Sequence, residues 1–241
     1  MHRWEEGKLR GTSRSPKTRR RIGPSEVEGF LRANYPRVCR MALALCGSQK
    51  TGNAAVKLVV RKSLHALPWC DSDAEPANWF AHHTVLTCRE MSQATAAASE
   101  DVLVRVISTP PPGHVAFVKA LRNLPRQQME AFLLLRCEHL DARGAAVAMD
   151  CSTQAIATHH VAATKALSDI AGNEFEARTA ELMRAYASLS PTEQLVEQNV
   201  NFAGRRMRRT RFWRFIKNLI LLGILAGVAW IGWRLWKMII I

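Results

Sequence analysis

No stretch between residues 24 and 204 alternates apolar and polar side chains as a half-buried strand would; apolar residues recur at spacings of three and four instead. That period predicts an all-α fold, each helix burying one stripe. Start and stop signals divide the pattern. Ser25, with Glu28 three residues on, reads as a capping box, and its helix carries Phe30, Leu31 and Tyr35 towards "YPRVCRMALAL". "CGSQKTGN" interrupts the period, residues 54 to 67 resume it, "PWCDSDAEP" is a loop, and a helix led by Trp79 and Phe80 is expected from about residue 77 to 98. "STPPPGH", residues 108 to 114, is a stiff connection and the clearest domain boundary. Beyond it come "VAFVKALRNL", "PRQQMEAFLLLRCEHL", two short helices around residues 141 to 169, and an amphipathic stretch from 173 to 187. Ser190-Pro191-Thr192-Glu193 is a start signal for a last, long helix interrupted only by Gly204.

Charge is distributed unevenly. The formal net charge is +14, but residues 1 to 23 hold a net +6 and residues 205 to 241 a net +9, which leaves residues 24 to 204 at −1. The middle therefore has no overall field to draw it onto phosphate. The basic N-terminus has no apolar segment behind it, so it predicts a disordered arm rather than a secretory signal. Six cysteines, at 39, 46, 70, 88, 137 and 151, include no C-x-x-C and sit mostly in apolar helical patterns. They read as reduced core residues of a cytosolic protein.

Sixteen residues from Asn218 to Trp233 carry no charge. With Arg234 and Lys237 snorkelling, the stretch approaches the roughly 20 residues a bilayer requires, so a transmembrane helix is expected over residues 212 to 241. Seven Lys/Arg precede the span and two follow it. The positive-inside rule then predicts a single-pass protein of the cell inner membrane with its N-terminal bulk in the cytoplasm. Trp213, Trp230 and Trp233 suit the interfaces, Leu219 the apolar interior, and the basic cluster anionic lipid headgroups. Gly223 and Gly227 form G-x-x-x-G, a spacing that lets two copies approach as a homodimer.

"MDCSTQAIATHHVAATKAL", residues 149 to 167, has the cadence of a helix-turn-helix: a polar turn, Ser152 as cap, then a helix backed by Ile156, Ala163 and Leu167. Residues 120 to 167 as a whole, with Leu124, Pro125, Ala131, Phe132, Leu133 and Ala146 at framework positions, resemble the promoter-binding domain of extracytoplasmic-function sigma factors. More loosely, "YPRVCRMALALCGS" and "NWFAHHTVLTCRE" resemble that family's promoter-melting domain. The resemblance implies two small helical domains and orders the chain as follows: a basic arm (1–23), a region 2-like domain (24–106), a Pro-rich linker (107–114), a region 4-like helix-turn-helix domain (115–170), a helical connector (171–211) and the expected transmembrane helix (212–241).

What the resemblance implies for sites falls on both domains. Ser152, Thr153, Gln154, Thr158, His159 and Lys165 would face upstream promoter DNA, Gln suiting adenine and Lys phosphate or guanine. Trp79 and Arg89, with Phe80, His82 and His83 near them, would meet an unpaired strand, though Trp79 and Phe80 also fit a packed core. Lys57 and Arg61 lie on the helix that docks RNA polymerase core. The chain departs from the family on these surfaces: Ala155, Ala157, His159 and Ala162 stand where Thr, Lys and Arg are usual, Asp150 replaces the turn glycine, and Asn53, Ala54 and Lys57 replace an acidic helix. The pairs His82-His83 and His159-His160 point about 100° apart on a helix, so neither can share an ion easily, and no Gly-rich phosphate loop or distinctive Cys-His pair is present. No metal, cofactor or enzymatic activity is expected. Two functions remain open: a membrane-tethered, sigma-like transcription regulator that binds polymerase and promoter DNA, and a membrane-anchored interaction module whose degenerate sigma scaffold no longer recognises promoters.

Overall fold

The structure is a computed structural model that describes residues 24–66, 74–91 and 101–240. These form ten α-helices: α1 (Pro24–Cys46), α2 (Gln49–Ala66), α3 (Ala74–Met91), α4 (Val102–Arg105), α5 (Pro112–Asn123), α6 (Arg126–Phe132), α7 (Ala142–Met149), α8 (Thr153–Ala171), α9 (Phe175–Ser188) and α10 (Glu193–Ile240). No strand occurs among the described residues. One apolar core runs through them, from Val27 and Leu31 in α1, through Phe80 and Val85 in α3 and Phe117 and Phe132 in α5 and α6, to Leu182 and Val200 in α9 and α10.

α1, α2 and α3 pack on one another. α1 is continuous although Pro36 lies inside it and removes the N–H that would reach the Arg32 carbonyl. It stops at Gly47, whose φ of +69° is the left-handed conformation glycine adopts at a helix end without strain. A Cβ at that position would stand 3.0 Å from Asp101 Oδ2. Asp101 caps α4, accepting from the Leu103 N–H at 2.9 Å, and receives Arg122 Nε at 2.6 Å, so three segments meet at this turn.

The linker is shorter than the sequence indicates. α5 starts at Pro112, inside "STPPPGH", because proline at the first helical position loses no helical hydrogen bond. His114, from the same stretch, is fully buried, with Nε2 3.0 Å from the Leu103 carbonyl oxygen. α6 runs into a π-turn over Leu133–Cys137, closed by the Glu138 N–H donating to the Leu133 carbonyl at 3.0 Å. The extra residue turns Glu138 inward, where the regular helical repeat would have placed it about 100° away.

α10 begins at Glu193, two residues beyond the Pro191 of the start signal, and passes through Gly204 without a break. Gly204 is where it lies against α1: a Cβ there would collide with the Glu28 side chain. Arg208 pairs with Glu28 at 3.0 Å, and Arg32 with Glu197 at 2.6 Å.

The expected transmembrane helix at residues 212 to 241 is corrected by this structure, and with it the single-pass inner-membrane placement. Among the described residues, no helix is long and apolar enough to cross a membrane. α10 is long, but it joins an Arg-rich half to a short apolar one. The charge-free stretch, Asn218 to Trp233, covers about 24 Å of helix against the roughly 30 Å of a hydrocarbon core. Leu219, Trp213, Trp230 and Trp233 are exposed along α10, and Gly223 and Gly227 have nothing within 4 Å.

Candidate nucleic-acid interface

The helix-turn-helix forms from its own capping residues. Asp141 caps α7, accepting from the Gly144 N–H at 2.8 Å; a Cβ at Gly144 would come 2.8 Å from that same oxygen. α7 ends at Asp150 in the left-handed region (φ 57°, ψ 52°), and the Cys151 N–H returns to the Ala146 carbonyl at 3.0 Å, the six-to-one closure of a Schellman turn. Aspartate reaches this conformation at a cost that glycine would not incur. Ser152 then caps α8, accepting from the Ala155 N–H at 3.1 Å. Ile156, Ala163 and Leu167 are fully buried on the back of α8, and Ala146 is buried in α7.

The front of α8 is open. Ser152, Thr153, Gln154, Thr158 and Lys165 are exposed, while His159 is half-buried. Thr158 donates its hydroxyl to the Gln154 carbonyl at 3.0 Å, which leaves it only acceptor capacity towards a ligand. Between these polar residues Ala157 is exposed and Val161 is 65% exposed. His160 faces inward, stacked on Phe132 with ring centroids 6.1 Å apart; burial and Arg136 lower its pKa.

The structure does not put Arg89 on this open surface. It carries Arg89 from α3 onto Glu130 of α6: Nη2 donates to Oε2 at 2.6 Å, Nε lies 3.1 Å from both oxygens, and Nη1 donates to the Met149 carbonyl at 3.2 Å. Hydrogen bonding to Glu130 raises the Arg89 pKa. Glu130 is 1% exposed and also takes Arg126 Nε at 2.9 Å, while Arg126 Nη1 donates to the Arg89 carbonyl at 3.3 Å. His82, about two turns earlier in α3, lies with Nδ1 3.0 Å from the Val147 carbonyl oxygen, which requires the proton on Nδ1. The strand-facing helix of the family resemblance is thus seated on the helix-turn-helix.

Trp79 is half-buried against the core, edge-on to Phe80 at 5.2 Å and tilted over His83 at 4.1 Å. Phe80 is fully buried, so the packing role read beside the stacking role is the one it fills here. Burial first, then His82 and Lys62, lower the pKa of His83 to about 4. The unfolded chain takes up this proton near pH 6.5 and the folded protein only near 4, so His83 contributes a stability that is present above about 6.5 and lost as pH falls towards 4. Urea midpoints taken along that window should therefore fall with pH, and His83→Phe should flatten the slope; an unchanged slope in the variant counts against this assignment.

Lys57 and Arg61 are exposed one turn apart on α2. Of the cysteines, Cys39, Cys88 and Cys137 are buried and Cys46 and Cys151 partly so, and none of these is in a disulfide; Cys70 lies outside the described residues. Among the described residues, no three His, Cys, Asp or Glu side chains converge on a metal position. Periodicity alone pointed to none of Glu130, Arg126 or Glu138. Arg126 and Glu130 are a readable i, i+4 pair, but Arg89 lies 41 residues away. Compared with family models, curated proteins and solved structures, the chain matches none.

Proposed function

We propose that this chain is a sigma-factor-like transcription regulator, in which α1 to α3 contact RNA polymerase core and melted promoter and the helix-turn-helix contacts promoter DNA. The observation that carries the reading is α8: a capped helix with a buried back and an open front that presents Thr153, Gln154, Thr158 and Lys165, with α3 packed against its supporting helix α7. Gln154 suits an adenine edge, and Lys165 a phosphate. Few cations on this face mean few released counterions, so DNA binding should weaken with salt along a slope of about −1 to −2 on a log–log plot.

A second reading is favoured by Val161 and Arg89. An exposed valine in the middle of the front of α8, and an arginine committed to Glu130 instead of nucleic acid, suit a protein-interaction module that keeps the scaffold without promoter recognition.

The test is binding of the chain to core polymerase, followed by transcription from a supplied promoter and by anisotropy titrations with duplex DNA. The sigma reading expects a complex with core, promoter-dependent transcripts, and about tenfold weaker DNA binding in Gln154→Ala/Lys165→Ala. Failure to bind core polymerase would overturn it in favour of the second reading.

A further inference from the structure

We propose that the cleft between α1, α2, α4 and the α9–α10 junction binds a small organic anion with an apolar body, held by Lys57 and Arg105. The cleft has a volume of about 680 Å³, within the range of small-molecule sites. Its floor is apolar, with Leu43, Val56, Val102 and Leu189 buried beneath it. Its charge is one-sided: among the described residues Lys57 and Arg105 line it, and no Asp or Glu does.

Several buried or half-buried arginines elsewhere in this body are matched. Arg89, Arg122 and Arg178 each meet a carboxylate at 2.6 Å. Lys57 and Arg105 meet none among the described residues, so two positive charges stand at the mouth of an apolar floor with no internal counter-ion. A carboxylate or sulfonate head placed between them would supply that counter-ion. The amides of Asn53 and Asn199 add donors, and an apolar body would displace water from the floor. This inference does not rest on polymerase or DNA binding, although Lys57 lies on the helix assigned above to polymerase.

Decanoate is a suitable probe, with decanol as its uncharged counterpart, titrated calorimetrically into the full chain at low salt. One site is expected for decanoate, with decanol about tenfold weaker or more, because the head group carries the recognition. Lys57→Ala/Arg105→Ala should weaken decanoate about tenfold or more. Asn53→Trp, which fills the cleft from an exposed position on α2, should abolish binding. Unchanged helical circular dichroism would show that both variants fold. Equal affinity for decanoate and decanol, or undiminished decanoate binding by both variants, would overturn the proposal and place the ligand on the exposed apolar stretch of α10.

Discussion

Replacing Glu138 by Gln lowers the unfolding free energy by about 3 kcal/mol, the expected cost of removing one partner from a buried ionic cluster. Glu138 follows the π-turn after α6, with its side chain 2% exposed. It accepts from Arg37 Nε at 2.8 Å, from Arg40 Nη2 at 2.9 Å and from the Tyr186 hydroxyl at 2.7 Å. α1, the end of α6 and α9 are thereby joined at one carboxylate. The Gln side chain keeps one acceptor but turns an N–H₂ group towards guanidinium donors, so at least one hydrogen bond is lost and the arginines lose their counter-charge. Burial, and then the Glu138 carboxylate, push the Tyr186 pKa well above its ordinary value, which keeps its hydroxyl a donor. Arg37 and Arg40 are partly exposed and can turn to water, which sets the expected loss at the low end of the range for buried pairs. Urea denaturation followed by helical circular dichroism measures it. A loss below about 1 kcal/mol means that the cluster stabilises the fold little, and a double-mutant cycle with Tyr186→Phe isolates the hydroxyl's share.

Arg89→Ala is expected to cost about 2 to 3 kcal/mol, because it leaves the Glu130 carboxylate buried with Arg126 as its one remaining cation and leaves the Met149 carbonyl without its donor. Arg89→Lys should recover only part of this. A lysine keeps the charge but cannot reach both Glu130 oxygens and the Met149 carbonyl from one planar fork. The loss should be local in its first effect: amide exchange in α3 and α7 should speed up more than in α9. Uniform acceleration across all helices would mean that Arg89 stabilises the whole fold and does not hold these two helices together. In the sigma reading the same contact has a functional meaning, since α3 is the helix assigned to the melted strand and α7 the support of α8. Releasing Arg89 would free both faces at once.

Much of the local structure was legible. The period of three and four, the Gly47 stop and the Ser152 cap are decided by residues within one or two turns of each other, and each has a short-range cause in sterics or hydrogen bonding. The candidate interface was legible in the same way along α8, where the alternation of buried Ile156, Ala163 and Leu167 with exposed Gln154, Thr158 and Lys165 follows from spacing alone. The destination of Arg89 was not legible. Its contact is made across 41 residues of chain, and its sequence neighbours in α3 read equally well as a strand-binding surface. The end of α10 shows the opposite error: a count of uncharged residues suggested a span, but no described helix combines the length and the apolar character that crossing requires.

By itself, the sequence determined the all-helical class, the Ser152 cap and the face that α8 buries, because these depend on side chains a few residues apart. Only the tertiary structure decided which charges are matched inside and which stand free. Glu130 draws Arg89 from α3 and Glu138 draws Arg37 and Arg40 from α1, while Lys57 and Arg105 face a cleft with no acid among the described residues. The reason is electrostatic: desolvation and pairing depend on distance in space, and the packing of α3 on α7 and of α10 on α1 sets those distances.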